Sequence, residues 1–208
     1  MSTASTAGTP PADTATLAAL HARLVAAAAE QDLLDLAYRT VDSPIGALLV
    51  AATPRGVVRV AFELEGHDDV LTALSTTVSP RVLHAPQRLD AAARELDEYF
   101  TGRRTAFDLP VDLRLAQGFR LRVIEWLRTI PFGGRASYAA VAVGVDNPKA
   151  VRAVGTACAT NPVPVIIPCH RVVRSDGSTG AYRGGPEAKA ELLAQEAAVI
   201  RRGTGPNG

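Results

Sequence analysis

Apolar residues recur at helical spacing in the first part of the chain, with Leu17, Leu20, Leu24, Ala27 and Ala28 on one face. This pattern predicts a helix over 14–36, with Asp13 or Thr14 as its cap. The preceding Ser/Thr/Ala/Pro-rich segment, 1–11, is too polar and too small in its side chains to predict an element. From Tyr38 to Phe62 the pattern changes. Two β-branched runs, 47–52 and 57–62, are separated by Pro54-Arg55-Gly56 and preceded by Pro44-Ile45-Gly46. Short apolar runs between turn signals predict strands joined by hairpins. Helical periodicity then returns over 68–78, followed by a short strand at 81–84 and a helix from about Pro86 to Phe100. The Pro-containing stretch 107–113 reads as an extended link.

Beyond that link the pattern is mostly helical. Phe119–Ile130 forms one helix, stopped by Pro131, Gly133 and Gly134. Ser137 is placed to cap a short helix from Tyr138 to about Val143. Asn147, with Pro148 behind it, is placed to cap another from Lys149 to about Thr160. Two short helices across a tight turn suggest a helix-turn-helix. The expected organisation is an extension over 1–36, an α/β domain over 37–112, a second domain over 113–201 and a tail over 202–208. The fold class is α/β (α+β): a small antiparallel sheet with helices, then a mostly helical, winged-helix-like domain.

Composition narrows the function classes. Hydrophobic residues make 47% of the chain and charged residues 21%, an ordinary globular balance. The net charge of +1 requires any nucleic-acid contact to use local basic groups. Two cysteines, Cys158 and Cys169, are too few for a disulfide framework. No apolar run is long enough to span a membrane, and no secretory leader is recognised, so a reducing cytoplasmic setting is the expectation.

The chemistry concentrates in Val163-Pro164-Val165-Ile166-Ile167-Pro168-Cys169-His170-Arg171-Val172-Val173. Adjacent His and Arg inside an apolar run need partners, because isolated buried charge is costly. A thiol becomes a strong nucleophile as the thiolate, which a neighbouring base can generate. Other readings of the same residues remain: an inert core cysteine, a structural histidine, or a metal ligand lacking a second pair at zinc spacing.

Pro168-Cys169-His170-Arg171-Val172 resembles the active-site signature of the O6-alkylguanine-DNA alkyltransferases. The resemblance extends, in family order and spacing, through Ser137-Tyr138, Asn147-Pro148-Lys149-Ala150-Val151-Arg152-Ala153-Val154-Gly155 and Asn161-Pro162. It continues through Gly180, Tyr182, Gly184-Gly185, Lys189, Leu192-Leu193 and Glu196. It is dense over 100–196 and looser over 38–100, where Asp42-Ser43-Pro44-Ile45-Gly46 is the best echo. It implies that Cys169 accepts the alkyl group, that His170 acts on it through a water, and that Glu196 orients the imidazole. Asn161 corresponds to a hinge between the recognition helix and an active-site strand. Arg152 would fill the space left by a flipped base, on a minor-groove helix whose contacts include Lys149, Ala153 and Gly155. Tyr138 would touch the rotated nucleotide's phosphate. Tyr138, Pro164, Val172, Tyr182 and Arg183 would border the guanine pocket. The implied partner is duplex DNA carrying O6-alkylguanine, with O4-alkylthymine a second candidate lesion. A monomer is expected, and cooperative assembly on DNA stays open.

No cofactor and no metal are expected, since His21, His67 and His84 have no nearby cysteine in sequence. Ile124 stands where relatives often carry Trp, with Trp126 two positions on. Three other classes compete. A non-reacting lesion binder of the same superfamily carries Trp at the acceptor position, which Cys169 opposes. A cysteine hydrolase would need an oxyanion hole, for which nothing in the sequence speaks. A sequence-specific helix-turn-helix regulator would leave Cys169 incidental.

Overall fold

Strands β1 (Leu36–Val41), β2 (Leu48–Thr53) and β3 (Gly56–Phe62) form an antiparallel meander in a computed structural model that describes residues 13–31 and 33–203. The turns sit at the two Pro/Gly signals, and β2 and β3 are buried almost throughout. Strands covered on both faces carry near-continuous apolar runs, as these do apart from Arg59 in β3. Helix α2 (His67–Thr77) covers one face, packing Val70 and Leu74 on Leu36, Leu49, Ala51, Val58 and Ala61. Strand β4 (Val82–His84) joins β1 in parallel, giving the order β3-β2-β1-β4. The sheet is therefore mixed at its edge. The link over 107–113 also pairs, through a parallel bridge of Val111 with Val57. Gly56 is required there, because a Cβ would lie 2.2 Å from the Pro110 carbonyl oxygen.

Helix α1 (Thr14–Glu30) belongs to a separate unit, 1–34. Asp13 caps it, accepting from the Thr16 N–H at 2.6 Å. It ends six residues before the predicted Leu36, whose backbone is taken up by β1 and β4. The expectations for 1–11 and for most of the tail lie outside the described residues.

From residue 35 onward the described residues cluster as one unit, which takes in both halves expected on either side of residue 113. Helix α3 (Asp90–Phe100), preceded by a 3-10 turn at Pro86–Leu89, buries Ala92, Leu96 and Tyr99. Helix α4 (Gly118–Leu127) buries Val123, Ile124 and Leu127. Trp126 instead faces Gly144, where a Cβ would lie 2.1 Å from the indole nitrogen. Strand β5 (Ala136–Ser137) leads into α5 (Tyr138–Gly144), capped by the Ser137 hydroxyl at 3.0 Å from the Ala140 N–H. Helix α6 (Val151–Ala159) starts two residues later than expected. Asn147 does not cap it. Its carbonyl instead accepts the Ala150 N–H at 2.9 Å, closing a turn over 147–150. Strand β6 (Val172–Val173) pairs in parallel with β5, and α7 (Gly185–Gly203) closes the fold. Among the described residues, no helix is long and apolar enough to cross a membrane.

Candidate active site

Pro162, Pro164 and Pro168 deprive the segment after α6 of three N–H donors, so it cannot join a ladder as a strand. It folds instead as a turn, with a bridge between Pro164 and Ile167, followed by a 3-10 turn over Cys169–Arg171. This corrects the expected active-site strand: only Val172 and Val173 are extended in a sheet. Val165, in that turn, takes φ of +72° while almost fully buried. A β-branched residue adopts that conformation only when its surroundings enforce it.

Asn161 supplies much of that enforcement. It is 1% exposed. Its Oδ1 accepts the Val163 N–H at 3.0 Å, and its Nδ2 donates to the Ile167 carbonyl at 3.0 Å and to Cys169 Sγ at 3.2 Å. One side chain thus fixes both ends of the turn and touches the sulfur. Burial pushes the Cys169 thiol up to about 11, against the opposing pull of the Asn161 hydrogen bond and the Lys189 ammonium.

His170 and Glu196 come together from the 3-10 turn and α7, both fully buried. Glu196 Oε1 accepts from His170 Nε2 at 2.9 Å, from the Tyr99 hydroxyl at 2.8 Å and from Arg171 Nη2 at 2.8 Å. Oε2 accepts from the Gly133 N–H at 2.9 Å and Arg171 Nε at 3.1 Å. Burial pushes this carboxyl up. The hydrogen bonds and charges of His170 and Arg171 outweigh it and hold the group at about 2. Burial also drives the His170 imidazole below its ordinary value, against the pull of Glu196. A neutral ring that donates from Nε2 to a carboxylate leaves Nδ1 as the acceptor. Nδ1 is buried and has no hydrogen-bond partner among the described residues.

Tyr182 adds a polar atom on the sulfur side. Its hydroxyl is buried beside the Cys169 thiol. Lys189, fully buried on α7, donates to the Val172 carbonyl at 2.6 Å. Its ammonium stands 5.9 Å from the Tyr138 ring centroid and 6.0 Å from that of Tyr182. Tyr138 is half-buried at the start of α5, and a Cβ on Gly180 would approach its hydroxyl to 2.9 Å. Pro164 and Val172 are both buried. Arg183 departs from the expected pocket: its guanidinium turns to Glu65, in the other half of the chain.

The remaining expected residues lie on α6 and the turn before it. Val154, Ala157 and Cys158 face inward, whereas Lys149, Arg152 and Ala153 are exposed. The Arg152 guanidinium makes no hydrogen bond or ion pair among the described residues. A Cβ on Gly155 would meet nothing within 4 Å.

Sequence reasoning missed Tyr99, Gly133, Arg59 and Glu65 as parts of the site or its support, and it quoted Arg171 and Lys189 in the motif without giving them a role. Arg59 carried a signal, being a charge inside the run Gly56–Phe62, which demands a buried partner. Tyr99 carried none, since an aromatic on an amphipathic helix reads as ordinary core.

Known proteins agree with this architecture. Residues 36–113 match the family model described as the 6-O-methylguanine DNA methyltransferase ribonuclease-like domain. Residues 118–198 match the DNA binding domain of the same name. A methylated-DNA–protein-cysteine methyltransferase of Mycolicibacterium paratuberculosis is 39% identical over 165 residues, covering 76% of this chain and 91% of that protein. The Escherichia coli bifunctional transcriptional activator/DNA repair enzyme Ada is 41% identical over 167 residues; the match covers 79% of this chain but only 46% of Ada. The crystal structure of Mycobacterium tuberculosis O6-methylguanine methyltransferase superimposes with a TM-score of 0.71 at 34% identity, covering 83% of this chain and 96% of that one. Mycobacterium tuberculosis OGT in complex with DNA gives 0.68 at 36% identity, covering 78% and 94%. With both halves matched in order, and the Mycolicibacterium relative covered over 91% of its length, this chain belongs to the 6-O-methylguanine DNA methyltransferase family.

Proposed function

We propose that this chain repairs DNA by direct reversal, moving the alkyl group of one O6-alkylguanine onto Cys169 in a single irreversible event. The observation that carries this reading is the buried line Asn161–Cys169 and His170–Glu196, with His170 Nδ1 left as an acceptor that has no partner among the described residues. The thiol is protonated at neutral pH, because burial holds it near 11. It has to lose its proton as it attacks. His170, neutral and anchored at Nε2, takes that proton at Nδ1 through a bridging water, and Asn161 steadies the sulfur. The new S–C bond forms as the C–O6 bond breaks. The electron pair returns to the guanine, and the thiol proton ends on the restored base. No group in this constellation is placed to hydrolyse a thioether, so each protein molecule acts once.

The O6 atom is paired inside a duplex, and the base must leave the stack to reach a buried sulfur. Arg152 is the residue we assign to the vacated space, because it is exposed on α6 and its guanidinium holds no partner among the described residues. Lys149, Ala153 and Gly155 line the same approach, and the open space over Gly155 suits close contact with a DNA backbone. Tyr138, Tyr182, Pro164 and Val172 frame the base pocket. The division of labour follows the two halves: residues 113–201 carry the chemistry and the DNA contacts, and residues 37–112 support them. A reducing, cytoplasmic setting suits a free thiol of this kind.

The test is intact-protein mass spectrometry after mixing with a duplex containing one O6-methylguanine. One methyl mass on the Cys169 peptide, saturating at one equivalent, is expected. Cys169→Ser should take up no methyl and still bind the duplex. Methyl uptake that continues past one equivalent, or that survives in Cys169→Ser, refutes the assignment.

A further inference from the structure

Outside the thiol site, the most constrained charge cluster joins the two halves of the chain. Glu65 ends a short 3-10 turn after β3, and its side chain is only 6% exposed. Its Oε2 accepts from two guanidinium groups, Arg59 Nη2 and Arg183 Nε. Its Oε1 accepts the Phe62 N–H at 3.0 Å. Arg59 continues the chain of contacts, donating to the Val60 carbonyl at 2.6 Å and to the Pro162 carbonyl at 3.2 Å. Pro162 follows Asn161, the residue on the sulfur, and its carbonyl also accepts the Val60 N–H at 2.9 Å.

Arg183 lies between two residues that rest on Phe62. The Tyr182 ring meets the Phe62 ring edge-on at 5.4 Å, and a Cβ on Gly184 would strike that ring at 2.7 Å. Tyr182 and Gly184 are therefore seated on β3, and Arg183 is tied to Glu65 between them. Tyr182 in turn holds its hydroxyl beside the thiol and its ring 6.5 Å from that of His170. The Glu65 carboxylate is shielded from water whereas the Arg183 side chain is 39% exposed, so the fastening takes its direction from the buried, shared carboxylate and from the seating of Tyr182 and Gly184 on Phe62.

We propose that the Arg183–Glu65 pair is a latch that sets the position of Tyr182 against Cys169, making Glu65 and Arg183 positioning residues for alkyl transfer. This rests on the reading of Cys169 as acceptor. Releasing the latch frees Tyr182 and Gly184 to shift from Phe62, and a shift of this kind slows a reaction that depends on alignment. The role is distinct from a phosphate contact, which would act on DNA affinity and not on the step at sulfur.

The experiment compares wild type, Arg183→Ala, Arg183→Lys, Glu65→Gln and the double variant Glu65→Gln/Arg183→Ala. Transfer rates are measured with O6-methylguanine as the free base and within a duplex, beside affinity for undamaged duplex and the thermal midpoint. Arg183→Ala should slow transfer from both substrates alike, by about ten-fold. Its affinity for undamaged duplex and its midpoint should stay at the wild-type level, since Glu65 keeps Arg59 as a partner. Arg183→Lys should recover part of the rate. The double variant should be no slower than Glu65→Gln alone, because both changes open one latch. Unchanged rates in Arg183→Ala beside an active wild type overturn the latch alone. So does a loss of duplex affinity with the free-base rate intact, which would make Arg183 a phosphate contact. A midpoint that falls in step with the rate would reduce the pair to a structural tie. A wild-type protein that takes up no methyl group refutes the assignment of function, and the latch with it.

Discussion

The surroundings of Glu196 and the outer face of α6 are opposite solutions to the placement of charge. Glu196 is fully buried and has partners on both oxygens: His170, Arg171, Tyr99 and Gly133. Arg152, on α6, is exposed and has no partner among the described residues. The first region is finished by folding, so its residues serve stability and chemistry together. The second is left open by folding, so its residues serve only what docks there. Mutations in the two regions should therefore separate into those that damage the fold and the reaction at once, and those that damage one step of the reaction alone.

Glu196→Gln should break the first region most severely. It leaves the Arg171 guanidinium buried without a countercharge, and removing one partner of a buried pair costs about 3 kcal/mol or more. Urea unfolding should show that loss, and transfer to Cys169 should fall with it, because His170 loses the carboxylate that fixes its tautomer. Acid should mimic the variant. With its folded-state value held at about 2, the Glu196 carboxyl contributes stability that is fully present above pH 4.5 and lost as pH falls toward 2. Glu196→Gln should flatten that part of the stability–pH curve. A variant with wild-type stability would mean that Arg171 finds other partners.

Arg152→Ala should leave stability within experimental error and slow repair of duplex DNA by roughly a hundred-fold, since extruding a base costs a few kcal/mol. Reaction with O6-methylguanine as the free base needs no extrusion and should keep its rate. Equal losses on both substrates would place Arg152 in the chemistry and dissolve the contrast between the two regions.

The two regions were also unequally legible in the sequence. Cys169, His170, Asn161 and Glu196 were found because a motif lays them out in order, and the structure does bring Cys169 to Asn161 and His170 to Glu196. The exposed residues on and before α6 were legible through the same resemblance, which named Lys149, Arg152 and Ala153, all three exposed. The hairpins of β1, β2 and β3 followed from Pro/Gly turn signals flanking β-branched runs. What stayed hidden depends on contacts between distant parts of the chain. Tyr99 lies 97 positions from Glu196, and nothing local marks a buried aromatic whose hydroxyl completes a carboxylate. Arg171 was visible inside the motif, but its bond to the Ile130 carbonyl required α4 to be in place. The strand expected around Cys169 failed because three prolines remove ladder donors. The Asn147 cap failed because a backbone turn reaches Ala150 first.

Tyr99→Phe probes that hidden contribution with less force than Glu196→Gln. It removes one donor from a carboxylate that keeps its others, so a loss of about 1.5 kcal/mol is expected, the lower end for a hydrogen bond to a charged group. The ring stays packed among Phe100, Phe107 and Phe132, which limits the effect to the hydroxyl. The transfer rate should fall modestly on free base and duplex alike, because the hydroxyl acts on Glu196 and not on DNA. A duplex-only effect would contradict its place in the buried region.

Gly155→Ala gives the smallest effect and the clearest sign. Most glycines with a structural role here would clash on gaining a Cβ, as Gly56 and Gly184 would, whereas Gly155 would meet nothing within 4 Å. Glycine inside a helix is less stable than alanine by roughly 0.5–1 kcal/mol, so the substitution should raise the stability of the chain by about that amount. The fold alone therefore gives no reason for glycine at this position; a close-approaching partner does. Affinity for undamaged duplex should fall slightly in Gly155→Ala while the free-base rate holds. A protein made more stable yet poorer at binding DNA would show that α6 is shaped for what lies outside it. Unchanged duplex affinity would remove Gly155 from the interface and leave Arg152 to define that face.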